Sequence, residues 1–513
     1  MDEVNQALHR IARGTGIIFV GTVISMVLGF ASRTLLARYF STSQYGVFNL
    51  ALTIFSITLT LVTLGFPTAL PREIGFYRKK NSSKIKNIIS TSLVIVITSS
   101  LFGALFLAIA SGHIAEVFQE PRLNSSLKIL ALALPFSALT GVLIAISQGF
   151  GRVREKVYFQ NIFYPTLWLT LVLIVIIFNL PFMALFYCYL LAQTIRTILL
   201  EYELHRLKLF KLKPLFDKYI AKKLLAFSIP LMISGILWTV MNWTDTIMVG
   251  YYLGSNSVGI YNAATPIARL IPLFLDSAAF LYPPLISSLY AQGKIKDIKR
   301  IYQILTKWVF TLTLPMFMFI FVFPETTIRF FFGTKYLQAA VVLRILAFGF
   351  MIHVLFGLNG STLLVIGDTK YIMGNNLVLF FLNILLNYIL IPVHGIEGAA
   401  MATAVSYSFG NILGSLRLYL KTRIHPFSLN YIKSLIISIL IIKITDIALS
   451  PVPNMLQAIV ISIVVVSAYF SLIIIIGGID NEDIEILVAL EQKLGINLET
   501  VRKILKQFVS SEK

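Results

Sequence analysis

A single cysteine, Cys188, occurs in 513 residues, inside an apolar run. One thiol excludes a disulfide framework and a cysteine-based metal centre. The six histidines are scattered and never form a His-Glu-x-x-His pair, so no metal site is expected. No Gly-rich turn is followed by Lys and Ser or Thr, which removes direct ATP hydrolysis. The nearest match, Gly254 to Gly259, runs into Ile260, and Gly149-Phe-Gly151 lacks a third glycine. Charge is scarce too, at 13%, roughly half the ~25% of soluble domains. The longest outer loop, about 111–127, offers only Glu116 and Glu120 as acids. These absences exclude a soluble catalytic domain and leave no enzyme chemistry or cofactor to expect.

What is abundant is apolar. Hydrophobic residues make up 57% of the chain, Phe alone occurs 39 times, and the mean hydropathy is +0.83. A hydrocarbon core of ~30 Å needs about 20 such residues per helix. That ruler predicts fourteen spans, near 16–38, 47–69, 88–110, 128–148, 160–178, 181–200, 225–251, 259–283, 304–323, 340–361, 373–391, 396–416, 433–449 and 455–477. They are twice the length of barrel strands and do not alternate in polarity. The expected fold is an all-α integral membrane protein.

Loop charge gives direction. Counting Lys433 at the edge of span 13, loops after even-numbered spans hold 25 Lys and Arg; those after odd-numbered spans hold four (Arg122, Lys128, Arg329, Lys335). Even loops and both termini are therefore expected in the cytoplasm, in a cell (inner) membrane. The net charge of +20 follows from this bias and calls for no nucleic-acid partner. The first span is too long for a cleaved signal and is read as a retained anchor.

An internal repeat fixes the architecture. Sliding the chain by 213 residues lays YFSTSQYGVFNLA (39–51) on YLGSNSVGIYNAA (252–264), with Gly46 on Gly259 and Asn49 on Asn262. Pro71 falls on Pro284 and Tyr77 on Tyr290, and an offset of 216 puts Gly151 on Gly367. Spans 1–6 thus match spans 7–12, and an even number of spans makes the repeats parallel. The expected organisation is an N-lobe (1–205), a basic linker (206–223), a C-lobe (224–420), two added spans (421–478) and an amphipathic cytoplasmic tail (479–513). Two lobes that rock about a cleft read as a transporter.

Ionisable residues inside spans cost ~2.5–3.5 kcal/mol each on insertion scales, so they mark candidate sites. Lys307 and Arg344 lie near span ends and can snorkel. Arg33, Asp245, Arg269 and His353 lie deeper. Asp245 and Arg269 flank the 253–258 turn, and Arg33 corresponds to Thr246 in the repeat. Asn242 shares the face of Asp245, and Asn376 belongs to a polar stripe along span 11. Arg33, Asp245, Arg269, Asn242, His353 and Asn376 are the expected substrate or coupling-ion cavity. Gly410-xxx-Gly414 in span 12 suits close helix packing.

LLARYFSTSQYGVFNLAL, DTIMVGYYLGSNSVGIY, RFFFGTKYLQAAVVLRIL and HGIEGAAMATAV resemble the multidrug/oligosaccharidyl-lipid/polysaccharide (MOP) exporter superfamily. Within it the chain is most similar to polysaccharide transporters, the O-antigen-type (Wzx-like) oligosaccharide flippases. The resemblance covers all fourteen spans. It implies a V-shaped pair of six-helix lobes with a cationic cavity and alternating access. It also implies passage of a polyprenyl-linked oligosaccharide from the cytoplasmic to the outer leaflet. The partners so implied are that lipid-linked substrate, membrane lipids, H+ or Na+ as candidate coupling ion, and other polysaccharide-assembly membrane proteins as candidates. Open beside it are a cation-coupled drug or metabolite antiporter, a lipid II-type flippase, and a membrane scaffold without substrate.

Overall fold

Long apolar segments can satisfy their backbone in lipid by coiling into helices. The computed structural model of the chain describes residues 2–78, 82–207, 209, 216–448 and 454–476. Every regular element among these residues is helical. The amphipathic tail expected over 479–513 lies outside the described residues, as do 208 and 210–215 of the basic linker. Among the described residues, ten helices are long and apolar enough to cross a membrane. The chain is an all-α, multi-pass membrane protein.

It divides into two compact units, Met1–Asn262 and Ala263–Lys513. The first holds α1 (Asp2–Tyr39), α2 (Thr42–Val62), α3 (Phe66–Arg78), α4 (Ser82–Val117) and α5 (Arg122–Gly149). A π-helical stretch at Lys156–Phe163, α6 (Tyr164–Ile177), α7 (Ala184–Arg206) and most of α8 (Lys218–Ala268) follow. α5 is the core of this unit. Leu127, Leu130, Leu134, Ala138 and Val142 recur at helical spacing and are fully buried, on a helix packed by α2, α3, α4 and α7. α2 begins at a capping box: Ser41 Oγ accepts from the Gln44 amide, and the Gln44 side chain accepts from the Ser41 amide. Two orphan donors are thereby satisfied.

α8 is 51 residues long but not straight. Gly254 has φ 77° and ψ 179°, a backbone region essentially reserved for glycine. The chain reverses there. Asp245 bonds Tyr261 at 2.5 Å and Thr246 pairs with Asn262, residues that a straight helix would hold about 24 Å apart. The turn expected over 253–258 is thus concentrated in one glycine.

The second unit comprises α9 (Leu273–Ala291), α10 (Ile295–Val322), α11 (Pro324–Phe332), α12 (Ala339–Phe356), α13 (Asn359–Val365), α14 (Thr369–Thr422), α15 (Leu429–Ala448) and α16 (Met455–Ile475). α12 packs on α10 and α14 through the buried Leu343, Leu346, Ala347 and Phe350. The 54-residue α14 folds back at Gly395 (φ 60°), so that Asn375 bonds the Gly410 carbonyl and Asn383 bonds Thr403. A methyl on Gly410 would sit 2.3 Å from Leu379, so the small residues of this arm serve close packing. Lys307 is a correction. The helical register 307-310-314-317 is the buried stripe of α10, and it carries Lys307 inward to 6% exposure. Arg344 does not reach out to water alone: its Nε donates to the Phe321 carbonyl at 2.9 Å.

Candidate functional site

The residues expected to form one cavity fall in both units. Arg33, Asn242 and Asp245 belong to the first; Arg269, His353 and Asn376 belong to the second. Arg33 is exposed on α1, and its charge is felt at the buried phenol of Tyr45 on α2. Asp245 is half-buried, and its Oδ2 accepts the hydroxyl of Tyr261 at 2.5 Å. Asn242, one turn earlier, donates to the Trp238 carbonyl. Sequence reading set Asp245 and Arg269 on either side of the 253–258 turn; Tyr261 was not among its candidates. A signal existed, because the repeat sets Tyr261 against Phe48, a hydroxyl gained on otherwise matched rings. Arg269 is exposed just beyond the end of α8.

His353 is half-buried, and its Nδ1 lies 2.9 Å from Asn411 Oδ1 on α14. An amide oxygen only accepts, so Nδ1 carries the proton. Asn411 in turn donates to the Tyr407 carbonyl, and Asn359 donates to the Asn411 carbonyl and to Ser415. Asp276, exposed on α9, lies within electrostatic reach of the imidazole. Asn376 is exposed, beside the half-buried Asn375, whose amide is spent on Gly410. The polar stripe of span 11 is therefore partly structural: Asn375, Asn383 and Asn387 bond within their own hairpin.

The first unit also holds a cluster that sequence reading missed. Glu120, between α4 and α5, accepts Nε and Nη2 of Arg122 at 2.7 Å each and the Ser255 hydroxyl at 2.6 Å. Arg122 Nη2 also donates to Ser43, Ser43 lies 2.8 Å from Ser255, and Thr42 bonds Asn256. Beneath these bonds the backbones nearly touch. A Cβ on Gly46 would lie 1.7 Å from the Ser255 carbonyl oxygen, and one on Gly259 would lie 2.0 Å from that of Thr42. The offset of 213 carries Thr42 to Ser255, Ser43 to Asn256 and Gly46 to Gly259, so each contact between these two segments has a reciprocal partner. Burial pushes the Glu120 carboxyl up, but the bonds from Arg122 and Ser255 outweigh it and hold it below its ordinary value. The result is an ionic interlock that fastens the start of α2 to the Gly254 reversal.

Chemically, these groups can bind and switch. They contain no nucleophile–base pair, and among the described residues no cluster of His, Cys, Asp and Glu could hold a metal ion. Residues 11–290 match the family model described as polysaccharide biosynthesis protein, and residues 230–389 match MatE. The chain is 26% identical over 414 residues to "Probable low-salt glycan biosynthesis flippase Agl15" of Haloferax volcanii, spanning 79% of this chain and 82% of that one. It is 23% identical over 420 residues to the "Putative O-antigen transporter" of Shigella flexneri, spanning 79% and 96%. Among solved structures it resembles the lipid II flippase MurJ in an inward closed conformation, with TM-score 0.72 and 15% identity over 88% of this chain and 97% of that one. A multidrug resistance MATE family transporter of the MOP superfamily, inward-facing, matches with TM-score 0.63 and 13% identity over 78% and 94%. At such identities the likeness to solved structures is one of fold.

Proposed function

Because the chain belongs to the polysaccharide biosynthesis protein family, within the MOP superfamily, we propose that it flips a polyprenyl-(di)phosphate-linked oligosaccharide from the cytoplasmic to the outer leaflet. It acts as a transporter, not an enzyme, in the cell membrane. The ten apolar helices include two folded back at Gly254 and Gly395. With α7 and α15 this supports fourteen crossings with both termini in the cytoplasm.

The observation that carries the reading is Arg33. It is exposed roughly 9 Å below the outer end of α1, six residues before Tyr39. A guanidinium there is costly against lipid and favourable against a polar cleft. Its planar fork suits a diphosphate bidentately. Arg269 supplies a second fork, and Asp245, oriented by Tyr261, restrains the cationic site while it is empty. Asn242 and Asn376 offer amides to the glycan. The polyprenyl tail stays in lipid while the headgroup crosses. The interlock around Glu120 closes one end of the path and opens when the headgroup leaves. His353, held by Asn411 near Asp276, favours H+ as coupling ion, the point at which an antiporter reading stays alive.

Depletion in cells tests the proposal. Lipid-linked oligosaccharide should accumulate at the cytoplasmic face, and Arg33→Gln should fail to relieve it while Arg33→Lys relieves it partly. Normal export without the protein would remove the proposal.

A further inference from the structure

At the cytoplasmic ends of three helices in the first unit, cations gather around one tyrosine. Lys223 Nζ, at the start of α8, donates to the Tyr77 hydroxyl at 2.7 Å. Lys84 Nζ, at the start of α4, lies 5.7 Å from the same ring's centroid, and Lys223 Nζ lies 5.1 Å from it. The two ammonium groups are therefore at most ~11 Å apart, close to the ~10 Å Debye length of 0.1 M salt. Arg72 of α3 lies 4.5 Å over the ring of Phe227, which ties α3 to α8. The carboxylate near this group is Glu73, 7% exposed and 3.1 Å from Arg72. Asp217 is spent as the N-cap of α8, accepting from the amides of Tyr219 and Ile220. The Asp217 amide bonds Thr91 on α4, which sets the register of Lys223.

Two cations around one hydroxyl raise the local potential and draw an anion towards it. Both lysines are exposed; Lys223 directly precedes the apolar part of its helix at Leu224, and Lys84 lies one turn before the apolar run of α4 that begins at Ile88. That position is headgroup depth. Exposed aromatics stand beside it: Phe76 at 54%, Phe216 at 58% and Tyr219 at 80%, the residue types of a membrane interface. Tyr77, accepting from Lys223, keeps its own hydroxyl proton to donate.

We propose that Lys84, Tyr77 and Lys223 form a binding site for the phosphate of an anionic lipid at the cytoplasmic face. Lys84 and Lys223 supply the charge and the Tyr77 hydroxyl supplies a directed bond. The inference rests on the topology given under Proposed function but not on the transported substrate. A phosphate at this site comes from a bulk anionic phospholipid, from a polyprenyl phosphate carrier or from solution.

Native mass spectrometry of the intact chain, released from detergent with added lipid, separates these sources. Phosphatidylglycerol, phosphatidylcholine, undecaprenyl phosphate and inorganic phosphate are offered in turn. Phosphatidylglycerol should be retained over phosphatidylcholine, and each Lys→Gln change should weaken it about five-fold. Lys84→Gln with Lys223→Gln should thus weaken it ~25-fold, whereas Lys296→Gln in another basic loop should leave it unchanged. Preference for undecaprenyl phosphate with the same lysine dependence also supports the site and marks it as a carrier entry. Retention that is indifferent to both lysines overturns it, as does an equal loss in Lys296→Gln or binding of inorganic phosphate alone. If the double variant does not fold, Lys84→Gln and Tyr77→Phe singly carry the test. Loss of lysine-dependent retention with flipping intact sinks this site and spares the proposed function; the converse sinks only the function.

Discussion

Placing a methyl group on Gly46 is the sharpest perturbation the interlock permits. The new carbon would lie 1.7 Å from the Ser255 carbonyl oxygen, against an ordinary carbon–oxygen approach of roughly 3.3 Å. The obstacle is backbone and cannot swing aside, so the start of α2 and the Gly254 reversal must part by ~1.6 Å. Over-packing of this kind costs on the order of 1–3 kcal/mol. The Ser43–Ser255 and Thr42–Asn256 bonds lengthen with it. If the interlock exists in only one access state, the whole cost appears as a population shift, and ~2 kcal/mol moves the ratio about 30-fold. Nitroxides at Tyr39 and Tyr251, both exposed beside the interlock, report it in a Cys188→Ser background. Electron–electron distance measurements on Gly46→Ala should shift weight from the short to the long distance, and Gly259→Ala should do the same. Unchanged distributions with an unchanged Tm would refute the close approach and the gate built on it.

Two further expectations follow from the side-chain geometry and one from the loop charges. Glu120 binds its proton less readily in the closed interlock than when released, where its ordinary value is 4.5. The interlock is therefore at full strength above that value and is lost as pH falls through the lowered one; Glu120→Gln should abolish this acid opening in the same distance measurement. Tyr261→Phe removes the donor to a half-buried carboxylate and should cost about 1–3 kcal/mol, read as a lower Tm together with slower transport, whereas an unchanged Tm and rate would remove Asp245–Tyr261 from the site. Cysteine labelling of intact cells should modify position 124 and spare position 421; the reverse would overturn the membrane topology.

Much of the fold was legible because lipid enforces a simple rule. Apolar runs of about 20 residues coil, and ten of the helices so formed are long and apolar enough to cross a membrane. The reversal read over 253–258 falls at Gly254, and the one at Gly395 falls between the spans read at 373–391 and 396–416. The site was legible only in part. Arg33 and Asp245 announce themselves by being ionisable among apolar residues, but Tyr261 does not, since a tyrosine in a span is ordinary. Lys307 was misplaced because distance from a span end decides depth, while helical phase decides whether a side chain faces lipid or neighbour. The interlock was invisible for another reason. Thr42, Ser43, Glu120, Arg122 and Ser255 come from three distant segments, and none carries a periodic pattern. The repeat did match Gly46 with Gly259, but self-similarity alone does not reveal that matched residues touch.

The central claim is movement of a headgroup across the bilayer, and proteoliposomes measure it directly. A fluorescent polyprenyl-diphosphate oligosaccharide is incorporated in both leaflets, and a membrane-impermeant reagent or lectin then destroys the exposed pool. Vesicles holding this protein should lose nearly all the signal, protein-free vesicles only that of the outer leaflet, and vesicles holding Arg33→Gln should resemble the protein-free ones. A protected inner pool in vesicles with folded wild-type protein, equal to that of protein-free vesicles, would contradict the account.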